Sequence, residues 1–254
     1  MPPRQERQGP EQLLEPYIHQ LGLKWKVIPT VDPNVDRPSI ASSKVSQEHH
    51  ISFPPGHAEA FRCDAVHELT HAKLSETIDP IFASIYFQRS EDINDPAFRQ
   101  RAQMVYYAQM PVEVWVADYM STVDRRLAVE DVTTWLQAVD QIPGPELQRL
   151  TAETVIGYAV NYAQIRRTGI RGYDRQESRV RQKIKTFLGR DADQIGRQLG
   201  RYYRELPQLP MDPTQAIPLF EQATQETARI AGFPIKPSLV QEENHWVWKI
   251  EDAA

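Results

Sequence analysis

Residues 64–76 read DAVHELTHAKLSE, so His67 and His71 stand four positions apart with Glu68 directly after the first. Side chains four apart share one face of a helix, and two imidazoles on one face can each give a ring nitrogen to a single ion. Glu68 lies one step round from His67, close enough to hold a water on that ion without being a ligand. Zinc hydrolysis needs this arrangement, because zinc lowers the pKa of its water to about 7 and a carboxylate takes the proton as the water attacks a carbonyl. With 7 histidines in 254 residues, a His-Glu-x-x-His arises by chance on the order of once in a hundred such chains. The competing reading is a pair of solvated helical histidines.

Catalytic zinc takes three protein ligands and keeps one position open, so a third is needed. Cys63 is the only cysteine, which excludes an internal disulfide and a cysteine cage. The stretch PVEVWVADYM, 111–120, offers two acids, Glu113 and Asp118, inside an otherwise apolar run. A carboxylate there is costly to bury unless it meets a cation. Five helical positions turn through about 500°, so the two acids point about 140° apart and do not both reach one ion. Glu113 has the longer side chain and lies in the first turn after Pro111, which favours it as the ligand. Asp118 is the alternative; whichever of the two is not the ligand lies behind the site or on the surface.

These residues must be carried by helices beside a small sheet. PEQLLEPYIHQLGL, 10–23, has helical apolar spacing with Pro16 as a kink, and KWKVIPTV, 24–31, reads as a strand. SKVSQEHHISFPPG, 43–56, alternates His49, Ile51 and Phe53 against His50 and Ser52, the pattern of a half-buried strand stopped by Pro54-Pro55-Gly56. From His57 to about Ser75 there is no Pro or Gly, and Ala58, Phe61, Ala65, Leu69 and Ala72 make an apolar stripe. Residues 79–98 are too punctuated to assign. Helix resumes near Arg99, after Pro111, and through VEDVTTWLQAVDQI and GPELQRLTAETVIGYAVNYAQI. The tail predicts helices over 175–188, 191–206 with Asp191 as cap, and 214–231, then a strand near the end. The fold class is α+β, mostly helical with a small sheet.

Other candidates are weaker. His49 and His50 lie on the strand expected to edge the cleft, where an extended peptide could pair. Tyr106 and Tyr107 could donate a phenol to a tetrahedral intermediate, although core packing is the default for both. Cys63 reads as a packed small hydrophobe.

The net charge of −5 argues against a general nucleic-acid binder, yet residues 165–206 hold twelve Arg and Lys against five Asp and Glu, a local +7. Val180, Ile184, Phe187, Leu188, Ile195, Leu199 and Tyr202 keep an apolar stripe there, so these helices dock on something. A solvated face packed against the acidic body is the default. Weak, non-specific phosphate contact through 166–204 is the alternative. No stretch has the roughly 18 to 20 apolar residues of a membrane span, and the opening MPPRQERQGP lacks the apolar run of a signal peptide. The expectation is a soluble, cytoplasmic protein.

The order HHISFPPG, AVHELTHAK, VEVWVADYMSTV, VTTWLQAVDQI and AVNYAQI resembles the zincin-like metallopeptidase domain of the antirestriction protein ArdC and its plasmid and phage relatives. That family has a strand ending in Leu-Pro-Pro, an HELxH helix, a helix reading EELVAE and a WL segment before a last helix. A more distant similarity to ImmA/IrrE-type proteases points to the same gluzincin class. The resemblance covers about 37–165, half the chain. It implies a zincin-like domain over 1–165 with a basic helical extension over 166–254, and a zinc-dependent peptidase acting on a protein or peptide. His67, Glu68 and His71 match its motif; Glu113 falls on the first Glu of EELVAE and Asp118 on the last, while Val114 replaces the second. That substitution leaves room for a rival from another class, a non-catalytic zincin-fold protein of a mobile genetic element that binds a partner or nucleic acid. Fewer than 40 residues precede the match, too few for the family's single-stranded-DNA-binding domain.

Overall fold

A computed structural model of the protein describes residues 9–88 and 94–253. The signal-peptide reading of the opening residues, and part of the unassigned stretch 79–98, fall outside them. Helix α1 (Pro10–Leu21) starts on a proline, runs through Pro16, and ends where Gly22 adopts φ 61°. That left-handed cap suits a residue without a Cβ.

Strands β1 (Lys26–Val31), β2 (Ser39–Ser43) and β3 (Glu48–Phe53) form a sheet in the order β1-β3-β2, with β1 parallel and β2 antiparallel to β3. The alternation expected of β3 is present, with His49, Ile51 and Phe53 buried and His50 exposed. β2 was not anticipated; SIASS carries three serines and little intrinsic strand preference, and pairing with β3 makes it a strand. The expectation that β3 edges the cleft is corrected, since β1 and β2 occupy both of its sides. No peptide can add to a strand whose ladder is already full.

After Pro54-Pro55-Gly56 the chain makes a 3-10 turn, Ala58–Phe61, before α2 (Arg62–Thr77). The helix expected from His57 therefore begins five residues later, because Phe61 at φ −110° and ψ 18° falls outside helical values. α2 is enclosed on most sides. Ala65 and Leu69 pack with Leu13, Leu14, Ile51 and Phe53, Val66 packs with Met120 and Leu127, and Leu74 joins the main core.

Helix α3 (Pro96–Ala108) is capped by Asp95, and α4 (Pro111–Val123) follows with Pro111 in its first turn. Asp124 caps α5 (Arg125–Gln141) by accepting the N–H groups of Arg126 and Leu127. A short α6 (Gly144–Leu147) leads to α7 (Thr151–Arg167), α8 (Asp174–Phe187), α9 (Arg190–Glu205) and α10 (Pro213–Ala231). β4 (Ile235–Glu242) and β5 (His245–Asp252) close the chain as an antiparallel hairpin. Asp191 is not the cap of α9. Gly189, at φ 96°, holds that position and Asp191 lies inside the first turn, where its charge still suits the helix dipole.

The chain is α+β, 63% helical with a small sheet. One core runs from α2 to the final hairpin, gathering Leu74, Phe82, Phe98, Trp115, Ile156, Leu199, Phe220 and Trp248. Residues on both sides of position 165 thus share one apolar interior. Trp248 Nε1 donates to Gln109 Oε1 (3.3 Å), its backbone N–H donates to Tyr86 (2.7 Å) and its carbonyl accepts from Gln88 (3.1 Å). α9 approaches α7 closely: a Cβ on Gly200 would stand 2.8 Å from Cδ1 of Tyr162, a distance no side chain tolerates.

Candidate metal centre

α2 points the face carrying His67 and His71 at α4 and α5, which pack against it. The Nε2 atoms of the two histidines lie 3.2 Å apart. Glu113, in the first turn of α4, places Oε2 3.0 Å from His67 Nε2 and Oε1 3.5 Å from His71 Nε2. His67, His71 and Glu113 thus form a group able to hold a metal, their ligand atoms all within 4.8 Å of one another. Tetrahedral zinc with bonds of about 2.0–2.1 Å sets its ligand atoms about 3.3 Å apart. The donor set and its spacing therefore fit zinc.

Both imidazoles are held in the orientation a metal requires. His71 Nδ1 is 2.6 Å from the Phe82 carbonyl, which can only accept, so this nitrogen carries the proton and Nε2 keeps a lone pair. His67 Nδ1 is 3.1 Å from Asp131 Oδ2 on α5, an acceptor of the same sense. Sequence reasoning missed Asp131. It lies beside Glu130 in a helix whose first half carries both acids and apolar residues, and nothing in its spacing marks it as the residue that meets His67. The part imagined for Asp118, a carboxylate behind a histidine, is taken by Asp131. Asp118 faces away and pairs with Arg167, whose Nε lies 3.1 and 3.0 Å from the two carboxylate oxygens. The 140° between positions 113 and 118 is thus used by two different partners, with no distortion of α4 required.

Without a metal these groups lean on one another. Burial would push the His67 imidazolium down, but Asp131 and Glu113 outweigh it and hold its pKa well above the usual value. His71 is raised too, with burial opposed chiefly by Glu113. Burial would raise Glu113, yet His71 and His67 hold its carboxyl far below the ordinary range. Glu68 behaves oppositely: burial raises it, only partly offset by His71 and His67, and among the described residues it accepts no hydrogen bond. The site remains open to solvent, with the His67 and Glu113 side chains 17% and 24% exposed.

The remaining candidates are placed as follows. His49 is fully buried, its Nδ1 2.7 Å from Ser42 Oγ, its ring stacked on Trp25 and its Nε2 3.6 Å from Glu76. Burial lowers its pKa against the pull of Glu76. This is an interior packing group, and His50 pairs with Glu48 at the surface. Tyr106 is 48% exposed, with its ring edge-on to Tyr107, so it does not sit in the core; burial and then Glu113 raise its pKa. Tyr107 packs on the core. Cys63 donates to the Leu127 carbonyl (3.3 Å), and burial raises its thiol.

Much of the tail's positive charge is spent internally. Arg166 pairs with Glu177, Arg167 with Asp118, Arg179 with Asp140 and Arg181 with Asp193, and Lys183 donates to the carbonyls of Val139, Asp140 and Ile142. Among the described residues no helix is long and apolar enough to cross a membrane. Comparison with protein-family models, with curated proteins and with solved structures finds no match to the chain.

Proposed function

We propose that the protein is a zinc-dependent peptidase of the gluzincin kind, acting on a protein or peptide substrate. The observation that carries this reading is the convergence of His67 Nε2, His71 Nε2 and the Glu113 carboxylate at tetrahedral spacing, with Glu68 beside them. Two histidines from one helix and a glutamate from another would hold the ion. When bound, zinc supplies a Lewis acid that polarises a carbonyl and acidifies water. The protein's own residues do the rest. Asp131 and the Phe82 carbonyl fix the two tautomers, and Glu68 accepts the proton from the attacking water and returns it to the leaving amine. The resemblance to the ArdC metallopeptidase domain supports the same chemistry through HELTH, and Glu113 meets the need left by Val114 in the acid helix.

The test is Glu68→Gln. The amide keeps the shape of the side chain but cannot accept the proton, so hydrolysis of a peptide library should fall by at least 10²-fold while zinc stays bound. A variant that lost its zinc would make Glu68 a ligand. A wild-type protein that holds zinc but cleaves nothing across the library would favour the non-catalytic rival.

A further inference from the structure

We propose that Arg167 is a positioning residue for the metal centre: it registers α4 against the carboxyl end of α9 and thereby sets where Glu113 presents its carboxylate. The proposal rests on the zinc reading above.

α4 faces the metal ligands with Glu113 and is gripped from its other sides. Arg167 donates through Nε to both oxygens of Asp118, and through Nη2 to Oδ2 as well. Its Nη1 donates to the carbonyls of Tyr203, Arg204 and Leu206. Carbonyls in the last turn of a helix have no partner within it and carry the negative end of the dipole, so a guanidinium is well matched to them. Two further bonds act on the same helix. Trp115 Nε1 donates to the Pro207 carbonyl at 2.9 Å, and Gln164 Nε2 donates to the carbonyl of Glu113 itself at 3.0 Å. Residues 113, 115 and 118 are each tied to α7 or to the turn at 203–207.

Apolar packing of Val112, Val114, Trp115 and Val116 already keeps α4 in place. Such packing has no direction and tolerates small slides along a helix axis. Ligand distances must hold to about 0.2 Å, which is a demand for directional contacts. The Arg167 guanidinium supplies them in a fork that cannot rotate freely, and with only 12% of the side chain exposed it is weakly screened. The basic tail then has a task that needs no nucleic acid: its α9 end is the backstop of the metal helix.

The experiment uses the full chain and reads zinc affinity by competition with a chromogenic chelator, together with the absorption spectrum of the cobalt(II)-substituted protein. Arg167→Met should remain folded by circular dichroism, lose zinc affinity about 10-fold and change the cobalt spectrum, as expected when a ligand's support is removed. Arg167→Lys keeps the charge without the fork and should recover part of the loss. Glu113→Ala marks the scale for outright removal of a ligand and should cost more than about 100-fold. A folded Arg167→Met with wild-type affinity and spectrum overturns the proposal. If that variant does not fold, Asp118→Asn decides: a fall of several-fold supports positioning and wild-type affinity refutes it. A wild-type protein that binds no zinc overturns the zinc reading itself, a separate outcome.

Discussion

Replacing Asp131 by Ala removes the carboxylate that accepts from His67 Nδ1, at 3.1 Å. A hydrogen bond to a charged partner contributes roughly 1.5–3 kcal/mol, and the Asp131 and His67 side chains, 19% and 17% exposed, place this one toward the lower end. Losing a carboxylate behind a metal-binding histidine costs about 10- to 100-fold in affinity, or about 1.4–2.7 kcal/mol, which agrees. Asp131→Ala should therefore weaken zinc binding about 10- to 100-fold by chelator competition at fixed pH and ionic strength. Asp131→Asn retains an acceptor without the charge and should lose less. Glu130, exposed beside it on α5, is the control for general charge, and Glu130→Ala should change affinity less than about 3-fold. In the metal-free protein the His67 pKa, followed by NMR, should fall in Asp131→Ala, because Asp131 is the strongest of the groups that oppose burial there. Wild-type affinity in Asp131→Ala, or an equal loss in Glu130→Ala, would refute the tautomer argument.

The metal-free and zinc-loaded proteins should respond to pH with opposite sign. His67 is raised on folding, so its contribution without metal is present at low pH and lost as pH rises through that raised value; the contribution of the depressed Glu113 is lost only as pH falls far into acid. Zinc must displace the His67 proton, so at buffered free zinc the stabilisation by metal should grow over the same rise in pH; thermal unfolding with and without zinc measures both, and parallel slopes would contradict the assignment. Trp248→Ala, which empties the junction between the C-terminal hairpin, α10 and α4, should cost about 3–5 kcal/mol in urea unfolding, and a loss below 1 kcal/mol would show that the hairpin does not belong to the shared core. Nucleic acid should bind at most weakly through 166–204 and release with added salt, since Arg166, Arg167, Arg179 and Arg181 are already paired; sequence-specific binding that survives high salt would contradict this.

What the sequence by itself determined is local. The spacing of His67 and His71 specifies one helical face, the alternation from His49 to Phe53 specifies a strand, and the run without Pro or Gly after Gly56 specifies a helix, because each depends only on the period of one element. The same period stated that Glu113 and Asp118 look in different directions, but not which of them looks at α2. That choice belongs to the packing of α4 between α2 and α7, which turns Glu113 toward the histidines and Asp118 toward Arg167. Asp131 behind His67 and the Phe82 carbonyl behind His71 are 64 and 11 residues from their partners, and no periodicity relates them. The tail's separate charge suggested a separate unit, while its apolar stripes had a partner that only tertiary structure named: Leu199, Phe220 and Trp248 close the same core as Trp115, since an apolar face is indifferent to sequence distance and is buried wherever a complementary face lies.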